Sequence, residues 1–120
     1  MQILSNPRLK YKVFNFGNSF NFYHQILNLP LVSSWDEPEN KGAIFQLGSV
    51  EIEIIQDGNL VIGPFNCKIS VEVENVQQVF KELSAKIIGL VPPKSNPWGQ
   101  LVLAVFDPNG LNIEFYQTLK

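Results

Sequence analysis

Cysteine and histidine are almost absent from this sequence, which contains only Cys67 and His24 of these two types. One cysteine excludes an internal disulfide, a zinc site of paired cysteines and a dithiol redox centre. We therefore interpret Cys67 as a small strand residue. His24 follows two aromatic residues of a helical pattern, and we expect it at the outer surface without a function. The sequence also lacks a nucleophile near this histidine, a phosphate-binding glycine loop and a dinucleotide fingerprint.

A strong charge of either sign is absent as well. The formal net charge is -2, and the lysine and arginine residues are scattered, so we expect no nucleic-acid partner. No apolar run approaches the roughly 18 residues of a membrane span, and the first residues lack the order of a signal peptide. We therefore expect a cytoplasmic protein with no membrane partner. Hydrophobic residues make up 45% and charged residues 17%, as in a packed globular protein, and residues 1–120 fit one domain.

Hydrophobic periodicity predicts the order βαβββ twice, in modules at about residues 8–57 and 66–118. The first helix is expected in "GNSFNFYHQILN" with Asn18 or Ser19 as its cap, and the second in "NVQQVFKELSAK". The predicted strands of the first module are "LKYKVFNF", "LPLVSSW", "GAIFQLG" and "VEIEIIQ". Those of the second are "CKISVEVE", "IIGLVPP", "QLVLAVF" and "LNIEFYQ".

The two modules can be superposed on a shared spacing. Lys10 and Lys68 each precede a helical phenylalanine by twelve residues. This superposition equates Lys10 with Lys68 and Glu53 with Glu114. It predicts a lysine and a glutamate at matching positions in each module.

Strand alternation predicts where these side chains point. In the strands of the second module the apolar residues should face the helix, which leaves Lys68, Ser70, Glu114 and Tyr116 on the opposite face. Glu53 is placed in the same way in the first module. We expect the two lysines and two glutamates, whose formal charges cancel, to line one cleft.

Four segments in this order resemble the vicinal oxygen chelate superfamily, which includes glyoxalase I, extradiol dioxygenases and bleomycin-resistance proteins. They are "FNFYHQILNLPLV", "GSVEIEII", "KISVEVENVQQVFKEL" and "PWGQLVLAVFDPNGLNIEFYQ". The resemblance covers nearly the whole chain. It implies an α+β fold of two tandem βαβββ modules that form a curled eight-stranded mixed sheet around a cleft, with helices on the outer faces. It also implies a homodimer.

The metal-dependent members of this superfamily use a histidine on the first strand of each module and an acid or histidine on the last. By position, the acids fall on Glu53 and Glu114 and the histidine positions on Lys10 and Lys68. A protonated ammonium group cannot ligate a metal, so we predict no metal site and no cofactor. Our hypothesis is that the lysines replace the charge of the metal and neutralise the acids. The alternative is that these pairs fill a wet groove and contribute little.

The resemblance and the residues together favour a metal-independent protein that binds a small molecule, as bleomycin-resistance proteins do. Trp35 and Trp98 would form aromatic walls of the cleft, above a floor of lysine and glutamate with Ser70 and Tyr116. Core or dimer-interface packing is the alternative for the tryptophans. Alternative functions are a metal-free isomerase or lyase with Glu53 or Glu114 as base, a metal-dependent lyase or dioxygenase, and a structural module. The sequence identifies neither a ligand nor a reaction.

Overall fold

The computed structural model describes residues 1–58 and 67–119, so the expected start of the second module at residue 66 lies outside the described residues. The chain forms two compact units, Met1–Gly63 and Pro64–Lys120. The first contains β1 (Arg8–Val13), α1 (Phe16–Asn21), a π-helical turn (Phe22–Ile26), β2 (Leu31–Glu37), β3 (Asn40–Leu47) and β4 (Val50–Gln56). The second contains β5 (Lys68–Glu72), α2 (Val76–Ser84), β6 (Lys94–Ser95), β7 (Gln100–Phe106) and β8 (Asn112–Thr118).

Each unit has one four-stranded mixed sheet. The strand orders are β1-β4-β3-β2 in the first sheet and β5-β8-β7-β6 in the second, and each unit's first strand runs parallel to its last. The predicted α+β class and the repeated βαβββ order are confirmed. The eight-stranded sheet is not: every strand pairing in the described part of the chain joins strands of one unit.

One face of each sheet packs against the helix of its own unit and forms the core. In the first unit the rings of Tyr23 and Phe45 are both buried, with centroids 5.6 Å apart. In the second, Leu83 of the helix is buried together with Leu103 and Ile113 of the sheet. The opposite face, which we call the open face of each sheet, carries the polar residues predicted to bind a ligand. Within residues 1–58 and 67–119, no helix is long and apolar enough to cross a membrane.

The first helix begins earlier than the sequence pattern predicts. Asn15 is the N-cap, and its side-chain oxygen accepts a hydrogen bond from the backbone N–H of Asn18 at 3.1 Å. The predicted caps, Asn18 and Ser19, therefore lie inside the helix. A second free N–H, that of Phe16, donates to Oε1 of Gln56 on β4 at 2.9 Å. The last strand thus fixes the start of the helix.

The second unit repeats this arrangement. Asn75 caps α2 by accepting from the N–H of Gln78 at 3.1 Å. The N–H of Val76 donates to Oε1 of Gln117 on β8 at 3.0 Å. Satisfying these free N–H groups stabilises the helix start in both units.

The strand register corrects the predicted superposition of the modules. The residues that lie opposite each other in the parallel strand pairs are Lys10 with Glu53 and Ser70 with Glu114. The counterpart of Lys10 is therefore Ser70, and the counterpart of Lys68 is Arg8. The sequence superposition was wrong by two residues, because it aligned phenylalanines in the helices rather than the helix caps.

The strand predicted in "IIGLVPP" is also wrong. Residues 87–93 form turns and irregular structure, and β6 comprises only Lys94 and Ser95. Gly89 has φ of 75°, and Pro92 and Pro93 have no N–H to donate to a sheet, so the segment cannot continue as a strand. Cys67, expected within a strand, is exposed and precedes β5.

Candidate functional site

The open face of the first sheet contains a buried acid between two cations. Glu53 is only 5% exposed. Its Oε1 accepts a hydrogen bond from Nη1 of Arg8 at 3.1 Å, and its Oε2 lies 3.6 Å from Nζ of Lys10. Because removing a carboxylate from water is costly, the two cations make this burial tolerable.

Arg8 also holds the second acid of this strand. Its Nε donates to Oε1 of Glu51 at 2.9 Å, so one guanidinium bridges Glu51 and Glu53. The hydrogen bond to Glu51 raises the pKa of Arg8 above its ordinary value, and the hydrogen bond to Glu53 acts in the same direction. The sequence analysis missed Arg8. A usable signal was present, since Arg8 precedes the cap Asn15 by seven residues and Lys68 precedes Asn75 by seven.

On the open face of the second sheet, Glu114 interacts with one cation and one hydroxyl group. Nζ of Lys68 donates to Oε2 of Glu114 at 3.2 Å, and Oγ of Ser70 donates to Oε1 at 2.6 Å. The side chain of Glu114 is 18% exposed, against 7% for Glu53. The four residues predicted to line one cleft thus form two separate ion pairs, Lys10–Glu53 and Lys68–Glu114, each within its own unit. The acid of the second unit is the more accessible one.

The residues at these positions do not fit a metal ion. Within the described ranges, no group of three or more histidine, cysteine, aspartate or glutamate side chains is placed to hold a metal. Arginine and lysine occupy the positions beside Glu53 and Glu114, and their cationic groups are donors without a lone pair for a metal. These side chains therefore suit ion pairs rather than metal coordination.

His24 is not placed to act as a metal ligand beside Glu53. Its ring centroid lies 5.3 Å from that of Phe20 and 6.4 Å from that of Phe45, which is on the helix side of the sheet. The prediction of a solvent-exposed His24 was wrong, because this side chain is half-buried. It belongs to the π-helical turn, where Leu27 donates to the carbonyl of Phe22 five residues earlier, and this local change of pitch alters the side-chain directions.

Trp35 lies on the open face of the first sheet. It is half-buried opposite Gly42 of β3, and its Nε1 donates to Oδ1 of Asn40 at 2.9 Å. A Cβ atom at Gly42 would lie 2.7 Å from Cε2 of the indole, so only glycine allows this ring position. The residue presents a fixed aromatic surface.

Trp98 occupies a different setting, although the sequence analysis paired it with Trp35. It lies in the turn before β7, its side chain is 80% exposed, and its backbone N–H donates to Oδ1 of Asn96. Trp35, by contrast, is part of a strand. Tyr116 is half-buried on the open face of the second sheet, opposite Glu72.

A comparison with known families identifies the class of this protein. The family model described as "Glyoxalase-like domain" matches residues 9–120. The chain therefore belongs to the glyoxalase-like domain family, and the predicted membership of the vicinal oxygen chelate superfamily is confirmed. A search of curated proteins finds no match.

Solved structures support the same fold. A glyoxalase family protein from Enterococcus faecalis is 22% identical with a TM-score of 0.75, over 96% of this chain and 97% of that one. TioX from a Micromonospora species is 18% identical with a TM-score of 0.75, over 96% and 99%. TnmS3, described as an antibiotic binding protein from a Streptomyces species, is 16% identical with a TM-score of 0.72, over 98% of each chain. At these identities the likeness establishes the fold.

Proposed function

We propose that this protein binds a small organic molecule on the open faces of its sheets without using a metal ion. The observation that carries the proposal is the replacement of metal ligands by protein cations: Arg8 and Lys10 neutralise the buried Glu53. The description of the structural neighbour TnmS3 as an antibiotic binding protein supports a binding role.

The proposed ligand contacts combine flat aromatic surface with paired charges. In the first unit Trp35 would offer a ring surface to a planar ligand, and in the second unit Trp98 and Tyr116 would do so, Tyr116 with a hydroxyl group in addition. Polar groups of a ligand would meet the ion pair of the sheet on which it lies, and on the second sheet also the hydroxyl of Ser70. These contacts are made by the following residues: Lys10, Glu53, Lys68, Ser70 and Glu114.

Binding accounts for the acids better than catalysis does. A general base needs a carboxylate oxygen directed at the substrate. Both oxygens of Glu114 already accept from protein donors, and both oxygens of Glu53 face cations. We therefore favour binding over a metal-free isomerase or lyase.

Tryptophan emission provides the test. In Trp98→Phe the remaining emission comes from Trp35, and in Trp35→Phe it comes from Trp98. We expect planar aromatic compounds to quench at least one single-tryptophan variant saturably, with the same dissociation constant before and after treatment with EDTA. The free amino acid derivative N-acetyltryptophanamide serves as the control for collisional quenching.

Two outcomes would count against the proposal. One is the absence of saturable quenching in both variants across a broad panel of aromatic compounds. The other is binding that disappears with EDTA and returns with a metal ion. The single-domain organisation, the cytoplasmic location and the homodimer stay predictions.

A further inference from the structure

An unpaired acceptor lies on the open face of the second sheet, two residues before Glu114. Among the side chains that the structure describes, Oδ1 of Asn112 is buried and has no hydrogen-bond partner. A buried polar atom left without a partner costs about 1 to 3 kcal/mol. Native proteins contain few such atoms, and a bound ligand or an ordered water is a common partner for them.

In the first unit, the side chain at the equivalent position has a hydrogen-bond partner. The counterpart of Asn112 is Glu51, because each lies two residues before the acid of its strand and opposite the cation of the neighbouring strand. Glu51 accepts a hydrogen bond from Arg8, whose guanidinium group also donates to Glu53. Lys68, the counterpart of Arg8, has one ammonium group, which bonds to Glu114. The change from arginine to lysine leaves the acceptor of the second unit unpaired.

The neighbours of Asn112 indicate which ligand could use this acceptor. Lys68 lies opposite it on β5 and Phe106 opposite it on β7, and both are on the open face. The side chain of Lys68 is 55% exposed and Phe106 is 61% exposed, so both can move, and the binding proposed below requires a movement that uncovers the amide. Phe106 offers a ring surface for stacking. Since Lys68 and Glu114 neutralise each other, this location favours a neutral ligand.

We propose that Asn112 Oδ1 accepts a hydrogen bond from the hydroxyl group of a neutral, planar phenolic ligand whose ring stacks on Phe106. This assignment deepens the proposed function and rests on it. Asn112 would act as a specificity residue that distinguishes a hydroxyl group from its methyl ether.

The test compares 2-naphthol with 2-methoxynaphthalene, which has the same rings and no donor. Equilibrium dialysis at neutral pH measures both dissociation constants. One neutral hydrogen bond corresponds to roughly a tenfold preference for 2-naphthol in the wild-type protein. In Asn112→Leu we expect this preference to fall to about onefold, while the affinity for 2-methoxynaphthalene is unchanged.

Two further variants make the result specific. Lys68→Arg supplies a guanidinium group that can donate a hydrogen bond to Oδ1 of Asn112, as Arg8 does to Glu51. This variant should therefore also show a reduced preference for 2-naphthol. Thr118→Val, on the same strand with a hydrogen bond to Glu72, should keep it. Asn112→Leu should melt at the same temperature as wild type or higher, because it removes an unpaired polar atom, and this measurement separates a binding defect from unfolding.

Each outcome is decisive. A preference that is lost in Asn112→Leu and retained in Thr118→Val supports the assignment. Equal binding of the two compounds by the wild type, or a preference that survives in Asn112→Leu, overturns it and leaves the proposed function standing. Binding of neither compound, together with no quenching across the wider panel, overturns both.

Discussion

Glu53 and Glu114 occupy matching places in the two units and have different surroundings. Glu53 is buried and meets two cations, whereas Glu114 is partly exposed and meets one cation and a hydroxyl. A buried carboxylate depends on its partners for stability, while an exposed pair contributes little. The stability of the first sheet should therefore depend more on its acid than that of the second sheet does, and the second acid is the more accessible one.

Replacing each acid by its amide tests this difference. Glu53→Gln should lower the free energy of unfolding by about 1 to 3 kcal/mol, because the buried carboxylate that pairs with Arg8 and Lys10 is lost. Glu114→Gln is the matched control and should cost less than about 1 kcal/mol. Urea denaturation followed by circular dichroism measures both. Equal losses in the two variants would contradict the distinction.

Strand alternation was sufficient to predict which residues share a face, but not which residues lie opposite each other. Shifting one strand by two residues leaves every side chain on its original face, because the side-chain period of a strand is two. Lys10 and Lys68 were therefore placed on the correct faces and wrongly equated. Arg8 was missed for the same reason, because its place between Glu51 and Glu53 follows from register.

The start of each helix is built from two separate parts of its unit. An asparagine caps the helix, and a glutamine from the last strand accepts from a second N–H. The helix and strand were both predictable from periodicity, because their apolar residues recur at helical or alternating spacing. The join between them was not, since it depends on a glutamine about forty residues away in sequence.

Removing the asparagine cap of α2 measures how much that cap stabilises the protein. Asn75→Ala should destabilise the protein by about 0.5 to 2 kcal/mol, because the N–H of Gln78 loses its acceptor. Asn75→Ser keeps a side-chain oxygen and should retain most of the stability. Urea denaturation would show the difference. A loss in the serine variant as large as in the alanine variant would indicate that the hydrogen bond from Gln78 is not the source of the stability.

The two units share their strand order and helix caps but have diverged in the chemistry of their open faces. In the first unit one arginine bridges two acids. In the second, a lysine pairs with one acid, and the described residues leave an amide oxygen unpaired. The same strand order and helix caps therefore carry different side-chain chemistry on the two open faces: an arginine bridges two acids on the first, and the polar groups of the second are less completely paired.

At the scale of the whole molecule, the proposed metal-independent function predicts that the purified protein holds no metal. After dialysis, elemental analysis should find less than stoichiometric zinc, iron, nickel and manganese. EDTA should leave the melting temperature unchanged, because protein cations already balance the acids. Stoichiometric retention of one of these metals, or a melting temperature that falls with EDTA and recovers when the metal is restored, would contradict this prediction.

The shortness of β6 has a consequence for behaviour at high concentration. β6 is the terminal strand of the second sheet, and Pro92 and Pro93 precede its two residues, Lys94 and Ser95. A longer strand there would expose a row of unpaired N–H and C=O groups, with which a strand of another molecule could pair. Prolines and a lysine at a sheet edge disfavour such edge-to-edge addition, so we expect this segment to oppose fibril formation.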